Sequence, residues 1–85
     1  MSKKEKLLKR LLSRPKDFSW DELTTLLGAF GYKVVSVGKT GGSRREFLNA
    51  ETKRSMVFHE PHPSGILKAY QVKTVIENLK EEKLI

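Results

Sequence analysis

YKVVSVGKTGGSRREFLNAETKRSMVFH, residues 32–59, decides the fold. It holds three runs rich in β-branched and aromatic residues, at 32–37, 44–48 and 55–59, which read as strands. A glycine-rich turn at 38–42 and a polar turn at 49–54 separate them. Connections this short join antiparallel neighbours, so the simplest topology is a meander. Side chains alternate along each strand. With Phe47 in the core, Arg45 lies on its side, and Arg44, Glu46 and Leu48 face the other way. With Met56 and Phe58 inward, Ser55, Val57 and His59 face out. Arg44 and His59 then share the open face and become neighbours in normal register, whereas a slip of one residue would bury them.

Helical patterns lie on either side of this stretch. Residues 3–13 put Leu7, Leu8, Leu11 and Leu12 on one side of a helix that Pro15 ends. Ser19, with Glu22 three residues on, forms a capping-box pattern. The helix it opens carries Trp20, Leu23, Leu26, Leu27 and Phe30 inward, and Gly28 and Gly31 loosen its end. After a loop at 60–68 with two prolines and a glycine, Val72, Val75, Ile76 and Leu79 mark a last helix from Tyr70 onward. The order α-α-β-β-β-α predicts an α+β fold, with helices packed on one face of a three-stranded antiparallel sheet and the other face bare.

The chain has 85 residues, enough for one core, and carries 17 Lys and Arg against 10 Asp and Glu, a net charge of +7. A domain of this size buries only about 60–65% of its unfolded surface, so modest stability is expected, with room for a partner to add to it. The positive excess suits a polyanion, because neutralising phosphates releases condensed counterions. A basic surface that only maintains solubility is the plainer alternative. With no cysteine there is neither a disulfide framework nor a thiolate metal site. No secretory signal and no membrane-length apolar run is recognisable, so the expectation is a cytoplasmic protein without membrane contact.

Chemistry concentrates in residues 41–63. His59 and His62 are the only histidines, and histidine alone titrates near neutrality without perturbation. Pro61 and Pro63 restrict the backbone around His62, which suits a general acid or base but equally a loop packing residue. His59 is open to the same two readings, a functional group or an ordinary surface histidine. Lys39, Arg44, Arg45, Lys53 and Arg54, together with Ser43 in the Gly-Gly-Ser-Arg turn, are the candidate phosphate-binding groups. Gly38-Lys39-Thr40 is not a P-loop, since position 33 is lysine where that motif needs glycine, and a strand follows where it needs a helix. His59 and His62 with Glu60 match no compact metal-binding pattern, so no metal and no small-molecule cofactor is expected.

One family brings these features together in order: Phe30-Gly31-Tyr32 closing a helix, a strand leading to Gly42-Ser43, Phe47, a polar turn, Pro61-His62, then Leu67 and a C-terminal helix. From about Ser19 to its end the chain resembles the HicA toxins of toxin–antitoxin modules. The resemblance implies a double-stranded-RNA-binding-like α-β-β-β-α domain at 15–85, with residues 1–14 as an N-terminal helical extension. It also implies endoribonuclease activity on messenger RNA and neutralisation by a HicB-type antitoxin. The family's catalytic histidine directly follows a Gly-Ser or Gly-Thr pair, and Arg44 occupies that place here. Arginine does not deprotonate near neutral pH and cannot be the base. Either His59 or His62 moves the proton while Arg44 stabilises charge on phosphorus, or the protein binds RNA without cutting it. A module that only docks an acidic protein is a third reading.

Overall fold

The computed structural model describes residues 2–36, 44–61 and 64–85. Three helices, α1 (Lys3–Leu12), α2 (Trp20–Ala29) and α3 (Ala69–Glu81), accompany three strands, β1 (Tyr32–Ser36), β2 (Arg44–Asn49) and β3 (Ser55–His59). The strands form one antiparallel sheet in the order β1-β2-β3, as the meander pattern predicts. Among the described residues no helix is long and apolar enough to cross a membrane.

The first two helices start where the sequence pattern places them, and α3 starts one residue early, at Ala69. The Ser2 hydroxyl accepts from the Glu5 backbone N–H at 3.1 Å and opens α1. At α2 the capping box is complete: the Ser19 hydroxyl accepts from the Glu22 N–H at 3.1 Å, and the Glu22 carboxylate accepts from the Ser19 N–H at 3.0 Å. α1 stops at Leu12, before Pro15, because Arg14 turns the chain at φ 53 in the left-handed region. Between α2 and β1, Gly31 takes φ +97 and lies close to the buried Asn49 side chain, where a Cβ would meet the amide nitrogen at 3.4 Å.

The core lies between the helices and one face of the sheet. Leu23, Leu26 and Leu27 of α2 and Val72, Val75, Ile76 and Leu79 of α3 close over Tyr32, Phe47, Met56 and Phe58. Phe47 sits at the centre, with ring centroids 5.3 Å from Trp20 and 6.3 Å from Phe58. α1 adds the fully buried Leu11 and the half-buried Leu7 and Leu8. Arg10 fastens α1 to the start of α2, with its Nε 2.7 Å from Glu22 and an Nη 3.0 Å from Asp17. The Arg10 guanidinium holds the Glu22 carboxyl below its ordinary pKa, and burial opposes this.

At one end of the sheet the β2–β3 turn is ordered by Asn49. β2 runs one residue past the expected 44–48 and includes it, continuing the alternation. The Asn49 amide oxygen accepts from the N–H groups of Glu51 and Thr52, and its nitrogen donates to the Phe30 carbonyl at 3.2 Å. The Tyr32 hydroxyl donates to Glu82 just beyond α3. Burial, and after it the carboxylate, push the Tyr32 phenol well above its usual pKa.

Candidate functional site

β2 and β3 pair so that Arg44 stands directly opposite His59, Glu46 opposite Val57 and Leu48 opposite Ser55. Lys33 and Val35 of β1 face Leu48 and Glu46 on the same side. Among the described residues no helix covers this face: Lys33, Arg44, Ser55 and His59 are exposed, and Leu48 and Val57 are open by 36% and 43%. Residues directly opposite in an antiparallel pair hold their Cβ atoms about 5 Å apart. A guanidinium and an imidazole thus project side by side from a bare sheet surface.

Next to His59 lies a cleft of about 370 Å³ between the end of β3 and the start of α3, lined by Glu60, Pro61, Ser64, Ile66, Lys68, Tyr70 and Gln71. Its far wall is fixed by backbone pairing between the segments that precede α2 and α3. The Trp20 N–H donates to the Gly65 carbonyl at 2.7 Å, and the Leu67 N–H donates to the Phe18 carbonyl at 2.8 Å. Gly65 makes that approach at φ +69, where a side chain is strained. Its near wall is held by Gln71, which is 2% exposed. The Gln71 amide nitrogen donates to the His59 carbonyl at 2.9 Å, and the amide oxygen accepts from the Lys68 N–H at 2.9 Å. One buried amide therefore joins the residue that carries the imidazole to the first turn of α3.

The other predicted residues fall in different places. Arg45 is on the core side of β2, half-buried, with its Nε 3.5 Å from Glu60. Lys53 and Arg54 lie in the β2–β3 turn, which is five strand residues or about 17 Å from the Arg44–His59 end. Arg54 reaches Glu81 at 3.8 Å, and Lys53 takes φ 62. Lys39, Ser43 and His62 lie outside the described residues. Among the described residues no group of His, Asp and Glu side chains converges on a position that could hold a metal ion.

Sequence reasoning missed Gln71, Lys68 and Tyr70. Gln71 carried a signal, being a polar residue four positions after the buried Leu67 and four before Val75 on the buried stripe of α3. A polar group kept at a core position needs a partner, and here the partner is the end of β3. Lys68 and Tyr70 had no such signal.

Residues 20–81 match the family model described as the HicA toxin of bacterial toxin–antitoxin. The chain belongs to the HicA toxin family. No curated protein and no solved structure matches it. As a HicA-family toxin it is one half of a toxin–antitoxin module, with a cognate antitoxin as its partner. The match begins at the first residue of α2 and ends at the last of α3, so the sheet, the Arg44–His59 pair and the cleft lie inside it and α1 lies outside.

Proposed function

We propose that this HicA-family toxin is an endoribonuclease that cuts messenger RNA in the cytoplasm and is silenced by a HicB-type antitoxin laid over the bare sheet face. The observation that carries the reading is the direct cross-strand pairing of Arg44 with His59 beside an open cleft. RNA cleavage without water needs three things at the phosphate. A base takes the proton of the 2′-hydroxyl, whose oxygen attacks the adjacent phosphorus. A cation stabilises the extra charge on the phosphoryl oxygens. An acid protonates the 5′-oxygen as its bond to phosphorus breaks, leaving a cyclic phosphate and a free 5′-hydroxyl.

In this reading His59 is the base, His62 the acid and Arg44 the cation. Lys39 and Ser43 bind the flanking backbone, and Lys53 and Arg54 extend the positive track along the hairpin. The test is cleavage of a single-stranded RNA by purified toxin with a chelator present. His59→Ala and His62→Ala should each lower the rate about 10²- to 10⁴-fold, the usual worth of a general acid or base. Unchanged rates in both variants would remove this assignment.

RNA binding without cleavage is the second reading. It is favoured by Arg44 itself, since the family resemblance puts a histidine in that place. Under it the wild type leaves RNA intact yet binds it with a steep salt dependence, Arg44→Glu weakens binding, and the histidine variants bind as the wild type does.

A further inference from the structure

Of the chain's four Phe, two Tyr and one Trp, only Tyr70 presents an exposed ring, open by 61% in the first turn of α3. What sets this ring apart is its position beside the candidate RNA site. Tyr70 lines two clefts at once. On one side is the cleft of about 370 Å³ that holds His59 and Lys68. On the other is a second cleft of about 380 Å³, between α3 and the elbow that joins α1 to α2. Leu67 and Val72 contribute to its floor, Arg14, Lys16 and Lys73 rim it, and no acidic side chain lines it. Among the described residues Arg14, Lys16 and Lys68 have no ion-pair partner, and Lys73 has only an exposed contact with Glu77 at 3.9 Å.

We propose that the RNA strand continues from the Arg44–His59 pair over Tyr70, whose ring stacks on a nucleobase, and into the second cleft, where Arg14 and Lys16 take the backbone phosphates. The inference rests on the RNA-binding reading above and extends it to a named path. A ring flanked by cations suits a single strand, because each nucleotide brings both a π-face and a negative charge, and stacking accepts any base. An apolar peptide would fill the floor of the second cleft but leave its cations unmatched. The path also gives the elbow after α1, which lies before the family match, a direct part in binding substrate.

The experiment is fluorescence anisotropy with a labelled single-stranded RNA, using protein already carrying His59→Ala so that the RNA stays intact. Tyr70→Ala should weaken binding roughly 5- to 150-fold, the range that one base–aromatic stack provides. Tyr70→Phe and Tyr70→Trp should bind as the parent does, since they keep the ring. Arg14→Ala with Lys16→Ala should reduce the slope of log K against log salt by about 1.4, the value for two phosphates of a single strand. A thermal melt of each variant separates a lost contact from a lost fold. If the parent binds no RNA, the functional reading falls and takes this path with it. If the parent binds while Tyr70→Ala and the elbow variant bind equally well, the path alone is refuted. Tyr70→Ala that spares RNA but weakens antitoxin binding would also refute it and make the two clefts a protein interface.

Discussion

Gln71→Leu is the substitution that tests most directly how this small fold holds its site. The side chain is 2% exposed, and its amide makes two hydrogen bonds of 2.9 Å, one to the His59 carbonyl and one from the Lys68 N–H. Leucine nearly matches it in volume, so no large cavity opens, but both backbone groups lose their partner. An unsatisfied buried polar group costs about 1–3 kcal/mol, and the Lys68 N–H, next to an exposed side chain, recovers part of this from water. The added apolar burial offsets some of the rest, which leaves a net loss of about 2–3 kcal/mol. A domain of this length has in total about 4–13 kcal/mol, and each 1 kcal/mol moves its midpoint by about 4–8 °C. Thermal unfolding should therefore shift down by about 10–20 °C, and the urea midpoint should fall with an unchanged slope. Gln71→Glu sharpens the test. Its carboxylate still accepts from Lys68 but faces the His59 carbonyl, so its folded pKa rises above the unfolded value. The variant should then be near wild-type stability below about pH 4.3 and lose stability as pH rises from there to its folded pKa. A Gln71→Leu protein within about 0.5 kcal/mol of wild type would show that the amide does not hold β3 to α3.

Three further outcomes follow from other parts of the fold. Glu22 is held below its ordinary pKa chiefly by Arg10, so its contribution is present above about pH 4.5 and lost as pH falls through the folded value. Glu22→Gln should flatten the acid limb of stability measured between about pH 6 and pH 2. Leu11→Ala, at a fully buried position of α1, should cost about 2–5 kcal/mol in urea unfolding, and a cost under about 0.5 kcal/mol would mean that residues 1–14 are an appendage to the core. Gly31→Ala should cost about 1–2 kcal/mol because its φ of +97 disfavours a side chain, and a stabilised variant would contradict the observed backbone.

The strands, their order and the face that Arg44 and His59 share could be read from residues 32–59, because alternation and short turns leave few registers that bury Phe47, Met56 and Phe58 together. The spatial grouping of the basic residues could not. A hairpin places its turn and its open end far apart, so Lys53 and Arg54 sit a strand's length from Arg44 although the sequence brings them close. The period of two did separate Arg45 from Arg44, but it did not show the contact that Arg45 makes with Glu60 beyond the end of β3. Tyr70 gains its meaning only from the two clefts beside α3, and the partner that Gln71's buried position calls for, the His59 carbonyl, lies twelve residues away. Boundaries moved little: α1 ends at Leu12, β2 runs on through Asn49 and α3 begins at Ala69.

The two ends of the sheet divide the work. At the turn end, Asn49 joins α2 to the β2–β3 turn, Tyr32 bonds Glu82 and Arg54 reaches Glu81, so strands and helices are tied by several polar contacts over the core. At the Arg44–His59 end one buried amide connects β3 to α3, and the side chains of the proposed RNA site are exposed. Exposed side chains outside such networks change stability by about 0.5 kcal/mol or less when replaced. Substitutions at Arg44, His59 and Tyr70 should thus alter RNA binding or cleavage in a protein that still folds, whereas Gln71 affects both. A bare face that carries Val35, Leu48 and Val57 among charged neighbours also gives an antitoxin apolar surface to cover where the substrate would lie. Substrate and inhibitor would then compete for one surface, and an Arg44→Glu toxin that lost RNA affinity while keeping undiminished affinity for its antitoxin would show that they do not share it.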